Sequence, residues 1–79
     1  MSSLFPELYD RALHGLIAAR KRARITQAEL ADRLGRPQSF VAKYEGGERR
    51  FDVAEFLSIA RELGVDPYKL LKGAENDSA

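Results

Sequence analysis

The 79-residue sequence contains no cysteine and no tryptophan, a single histidine and three prolines. Without cysteine there are neither disulfides nor thiolate metal sites, so packing alone has to hold the fold, and a reducing compartment is no obstacle to it. His14, the lone histidine, has no second histidine or carboxylate placed to complete a metal site or a catalytic triad. No Gly-rich phosphate loop or nucleophile–base pairing occurs, and a chain of this size offers little depth for a substrate cleft. The expectation is therefore no enzyme activity, no cofactor and no metal. Long apolar runs are missing as well, and the opening residues Met1 to Glu7 lack a basic region followed by an apolar stretch. Neither a membrane span nor a signal peptide is expected, which makes the cytoplasm the expected compartment. Period-two alternation over strand length is also absent, so no sheet is expected.

What the sequence does contain is charge and helix signals. An apolar fraction of 44% with 32% charged residues fits a folded domain rather than a disordered or membrane chain. The length leaves room for one hydrophobic core, with no separate sensor or catalytic domain. A net charge of +1 conceals an uneven division. Residues 20–50 carry nine basic and four acidic side chains, a net +5, and the remainder of the chain is −4. Either a face suited to a polyanion or an ordinary solvated charge distribution gives such a pattern.

Apolar residues at Leu8, Tyr9, Ala12, Leu13, Leu16, Ile17 and Ala23 recur at three-and-four spacing, which predicts a first helix over about 4–23. Ser3 is its expected cap, and Arg20 to Arg24 suit the negative pole of its dipole. Thr26-Gln27-Ala28-Glu29 reads as a capping box with Ile25 and Leu30 as a hydrophobic staple, starting a second helix that Gly35 stops. Pro37 precedes a third helix, residues 38–45, closed by Gly46-Gly47. Asp52-Val53-Ala54-Glu55 repeats the box, stapled by Phe51 and Phe56, for a fourth helix over about 53–63. Asp66-Pro67 opens a short fifth helix expected to end at Lys72-Gly73. The expected fold is all-α, a compact five-helix bundle. Its expected divisions are an extension of helix 1 over 1–11, a domain over 12–73 and a flexible tail over 74–79.

Two short helices joined at Leu34-Gly35-Arg36-Pro37 give helix-turn-helix geometry, which by itself is a weak signal. The wider pattern is more specific. It includes Gln27 opening helix 2, Leu30-Ala31, the Leu34-Gly35 turn, the polar pair Gln38-Ser39 opening helix 3, Val41, and Glu45 followed by Gly47. It continues through Leu63-Gly64-Val65 to Leu70-Leu71. Over about residues 12–73 the chain resembles the lambda-repressor-like helix-turn-helix family, which includes phage repressors, Cro proteins and bacterial xenobiotic-response-element-type regulators.

That resemblance implies that helix 3 enters the major groove of double-stranded DNA. The chemistry of the helix is compatible: Gln38 suits adenine N6 and N7, Ser39 can donate or accept, Lys43 can reach guanine O6 and N7, and Ala42 can approach a thymine methyl. The plain alternative is that these are polar surface residues. The resemblance also implies that Gln27 and Gln38 join the starts of the two helices and hold a phosphate. Arg36, Arg49 and Arg50 flank helix 3 and are read either as further phosphate contacts or as solvated charges. Arg20 and Glu45 match a pair that in the family ties the end of helix 1 to the end of helix 3, a structural role. Two departures stand out: Pro37 occupies a place where relatives carry a capping hydroxyl, and bulky Phe40 either touches thymine methyls or packs inward.

The function expected from these readings is a transcriptional repressor bound as a homodimer to a palindromic operator, since one helix reads too few bases to select a site. Helix 5, with Tyr68, Leu70 and Leu71, is the favoured contact between copies; the extension, with Leu4, Phe5, Leu8 and Tyr9, is the other candidate. An alternative from another class is an antitoxin that binds a small toxin protein and regulates its own promoter.

Overall fold

The structure, a computed structural model, describes residues 4–76; Ser3, the side chains of Leu4 to Pro6 and residues 77–79 of the expected tail lie outside it. Five helices follow one another: α1 (Leu4–Arg22), α2 (Gln27–Leu34), α3 (Gln38–Glu45), α4 (Val53–Glu62) and α5 (Pro67–Asn76). No strand occurs among the described residues.

Local chemistry places most of the boundaries. At α4 the capping box is complete: Asp52 Oδ1 accepts from the Glu55 N–H at 2.7 Å, and Glu55 Oε1 accepts from the Asp52 N–H at 2.9 Å. At α2 only half of the expected box forms. Thr26 Oγ1 accepts from the Glu29 N–H at 3.0 Å, but the Glu29 carboxylate turns instead to Arg33, four residues on, at 3.0 Å. Pro37 has extended backbone and stands just before α3 as a cap without a side-chain bond, so the first helical residue is Gln38. Asp66 Oδ1 accepts from the Tyr68 N–H at 2.9 Å at the start of α5.

The ends of α1 and α2 share one hydrogen-bond pattern. After α2, Gly35 adopts a left-handed φ of 69° while Arg36 N–H reaches back to Ala31 C=O at 2.9 Å. After α1 the same closure is made by Arg24 at φ 59°, with Ile25 N–H donating to Arg20 C=O at 3.2 Å. Arginine there accepts a conformation that costs an L-residue about 1–2 kcal/mol.

Leu16, Leu30, Val41, Tyr44 and Ile59 are the largest fully enclosed side chains, and they come from four different helices. Each Leu, Ile or Val so buried contributes roughly 1.5–3 kcal/mol. An aromatic seam runs beside them: Tyr9 to Phe51 at 4.7 Å, Phe51 to Phe56 at 5.7 Å and Tyr44 to Phe51 at 5.8 Å between ring centroids. Helix α1 packs on α5 so closely that a Cβ at Gly15 would collide with the Leu70 side chain.

Helix α5 does not stop at Gly73 as the sequence suggests; it continues to Asn76. The reason is tertiary. Ala74 is buried, and its C=O accepts from Arg11 Nε at 2.6 Å, so anchoring on α1 outweighs the roughly 1 kcal/mol cost of glycine inside a helix. Ala23, counted in the apolar stripe of helix 1, lies beyond α1 and is exposed.

Candidate nucleic-acid interface

Eight residues of α3 divide cleanly between two faces. Phe40, Val41 and Tyr44 are buried, whereas Gln38, Ser39, Ala42 and Lys43 are exposed. Positions 38 and 42, like 39 and 43, stand one turn apart, so the four form one patch about two turns long. Among the described residues none of Gln38, Ser39 and Lys43 has its polar group bonded to the protein, which leaves all three available to a ligand. The open question over Phe40 resolves inward, its ring edge-on to Tyr44 at 5.4 Å.

The C-terminal end of α3 is fixed from beneath. Arg20 at the end of α1 meets Glu45 through two parallel bonds, Nε to Oε2 at 2.7 Å and Nη2 to Oε1 at 2.9 Å, and its Nη1 donates to Ile25 C=O at 2.8 Å. The side chains are 11% and 7% exposed. A forked pair this sheltered is held by geometry as well as charge, and the Glu45 hydrogen bond pushes the Arg20 guanidinium above its ordinary range despite the opposing effect of burial. Gln27 joins this group, donating from Nε2 to Glu45 Oε1 at 2.9 Å. The structure thus brings Gln27 to Glu45 rather than to Gln38. Beside them burial pushes the Tyr44 hydroxyl well above the usual phenol range.

The N-terminal end of α3 carries the flanking arginines. Arg36, from the α2–α3 turn, and Arg49, from the α3–α4 loop, converge on one carboxylate, Glu55 of α4. Arg49 binds it through Nη1 and Nη2, both at 3.0 Å, and Arg36 through Nη2 at 2.9 Å. Both guanidiniums also lie near the Phe40 ring, at 4.3 Å for Arg36 and 5.0 Å for Arg49. Glu55 is enclosed, with its side chain 11% exposed, while Arg36 and Arg49 remain 41% and 42% exposed. The Arg49 hydrogen bond is the main influence holding the Glu55 carboxyl down to about 2, helped by the Asp52 N–H and Arg36; the same bond raises Arg49. Arg50 stands apart from this group, its guanidinium 3.8 Å from the centre of the Tyr9 ring, and the Tyr9 hydroxyl accepts the Phe51 N–H at 3.2 Å.

Glu55 is the residue that sequence reasoning placed only in a capping box. No local signal marks its second role, because Arg36 and Arg49 reach it from two different loops. Lys21 and Arg24 are exposed at the α1–α2 corner. No group of three or more metal-ligating side chains is found among the described residues, and none of their helices is long and apolar enough to cross a membrane.

Comparison with known proteins bears on the family and the fold. The helix-turn-helix family model matches residues 16–70. No curated protein matches the chain. Among solved structures, the chain is similar to an XRE-family like protein from Pseudomonas syringae pv. tomato str. DC3000, with 49% identity over 98% of this chain and 94% of that chain and a TM-score of 0.91. With α2 and α3 inside the matched segment and the whole described fold shared with an XRE-family protein, the chain belongs to the Cro/C1-type helix-turn-helix family of DNA-binding transcription regulators, which are not enzymes.

Proposed function

We propose that the protein is a dimeric repressor that inserts α3 into the major groove of a palindromic operator. The observation that carries this reading is the exposed face of α3, where the side chains of Gln38, Ser39 and Lys43, beside Ala42, bond to none of the described residues. In this reading those four residues meet base edges, while Gln27, Arg36, Arg49 and Arg50 meet phosphates and the Arg20–Glu45 pair sets the helix in place. A bound dimer covering a promoter excludes polymerase, which makes repression the simplest outcome.

Support for a dimer comes from apolar surface. Tyr68 and Leu71 of α5 are 68% and 46% exposed, and they line a groove together with Leu8 of α1. Leu8 and Leu71 also border an adjoining depression beside Val53. Of the two surfaces that the sequence offered as alternatives, the extension therefore shares one face with helix 5 at Leu8. Leu70 is half-buried against Gly15 and belongs to the core side of α5.

Selection of bound duplexes from a random pool tests the reading directly. Enrichment of a two-fold symmetric site is expected, its half-sites about 34 Å or one duplex turn apart; failure to enrich any sequence would overturn it. Sedimentation of wild type and Leu71→Glu tests the assembly, with a dimer expected for the first and a monomer for the second. A wild-type monomer at high micromolar concentration that binds DNA one-to-one would exclude the dimer. A stable complex with a second small protein from the native source would replace the repressor reading with the antitoxin one.

A further inference from the structure

Resting on the reading of α3 as the base-contacting helix, we propose that Glu55 is a specificity-determining residue that touches no DNA: it holds Arg36 and Arg49 in place so that phosphate contact is coupled to base contact by α3.

The geometry gives the carboxylate command of both arginines. One oxygen takes the Asp52 N–H and Arg49 Nη1, and the other takes Arg49 Nη2 and Arg36 Nη2. The Phe40 ring, part of α3 itself, gives the two guanidiniums a common surface. Arg49 Nη1 further donates to Arg50 C=O at 3.1 Å, which fixes its plane. A guanidinium has five N–H donors. Arg36 spends one of them here and Arg49 three, so each, 41% and 42% exposed, retains donors that bond to none of the described residues and can bind a phosphate without leaving Glu55.

Two consequences follow for binding. Long, unrestrained arginines follow phosphates wherever a duplex presents them, strengthening binding to every sequence alike. Arginines fixed relative to α3 meet phosphates only where α3 is seated in the groove. The carboxylate also removes one unit of positive charge from the surface, which weakens attraction to arbitrary DNA. Both effects widen the gap between a chosen site and the rest of the genome, the quantity on which a regulator depends.

Glu55→Gln is the informative variant, since glutamine can still accept the Asp52 N–H and close the capping box. Affinities are measured for a duplex selected from a random pool and for a random-sequence duplex of equal length, across a salt series, with a thermal melt to verify folding. Relative to wild type, the variant is expected to bind the random duplex severalfold more tightly, with the slope of log K against log salt steeper by about 0.9. The ratio of selected to random affinity is expected to fall by about tenfold, a small part of the 10³–10⁷ range such ratios span. The same substitution made in an Arg36→Gln/Arg49→Gln background is expected to leave the ratio unchanged, because Glu55 acts through those arginines. That background also keeps the test valid should Glu55→Gln alone destabilise α4. An equal rise in both affinities, or no change in either, would overturn the proposal while leaving sequence-specific binding intact. A wild-type protein with no preference for any selected duplex would instead overturn the reading on which the proposal rests.

Discussion

Helix α3 is pinned at both ends by a glutamate and arginine, and the two ends are built on different terms. At its C-terminus, Glu45 and Arg20 are both sheltered, share a forked contact and recruit Gln27. At its N-terminus, Glu55 is enclosed but its two arginines remain open to water. Burial decides what each end can do. A sheltered pair has no solvent to replace a lost partner and therefore fixes geometry, whereas an open arginine retains donors for a ligand and contributes little to stability. One end of α3 thus anchors the helix to α1, and the other presents positive charge to whatever lies beside the helix.

The comparison is broken most severely at the sheltered end. Glu45→Ala leaves Arg20 with one of its three hydrogen bonds, that to the Ile25 carbonyl, and removes the acceptor for Gln27. The expected cost is about 3–5 kcal/mol, against the roughly 5–15 kcal/mol that holds a typical domain folded. Thermal or urea unfolding measures it; a melt superimposable on wild type would show that the sheltered pair anchors nothing.

Between the two ends lies the face proposed to read bases, where a substitution should leave stability alone and change sequence choice. Gln38 is exposed, and its side chain bonds to none of the described residues. Gln38→Ala is expected to unfold like wild type while losing about 1–3 kcal/mol of discrimination at one base position of the selected site. Arg49→Ala should instead weaken binding to every single-base variant of the selected site by the same factor, leaving the base preference unchanged, and flatten the salt dependence. Competition against a panel of single-base operator variants separates these outcomes, and an unaltered base preference in Gln38→Ala would remove that residue from the reading face.

How much of this was legible in the sequence follows the range of the interactions. The starts of α2, α4 and α5 were readable because caps and staples act within a few residues: Thr26, Asp52 and Asp66 each bond to backbone two or three positions on. The end of α5 was not, because it depends on Arg11 reaching Ala74 from the other end of the chain. The same limit applies at the site. The face of α3 is a matter of helical period and was readable, and the family resemblance supplied the Arg20–Glu45 pairing. Nothing local announced that Glu55 gathers Arg36 and Arg49, since that meeting exists only once α4 packs beside α2 and α3. Phe40 stayed ambiguous for a related reason: an aromatic residue on the first turn of a helix takes its side from its neighbours, and the decisive ones come from distant segments.

The smallest expected effect sharpens the distinction between the ends, and it concerns pH. The Glu55 carboxyl is held down to about 2 from an ordinary 4.5, chiefly by its hydrogen bonds with Arg49. A carboxyl with a lowered folded-state value favours the folded chain when ionised, so its contribution is complete above about pH 4.5 and is lost progressively as pH falls toward 2. The groups bonded to it are the Arg36 and Arg49 guanidiniums and the Asp52 backbone N–H. Because both arginines stay in contact with water, the large displacement of the carboxyl translates into only a modest change in stability. Thermal melts of wild type and Glu55→Gln from pH 7 to pH 2 measure the effect as a difference between two curves. Wild type should be the more stable above pH 4.5, and its advantage should shrink steadily below that point. Curves that descend in parallel over the whole range would mean that ionised Glu55 adds nothing to folding, and that the open end of α3 holds its arginines without stabilising the helix they flank.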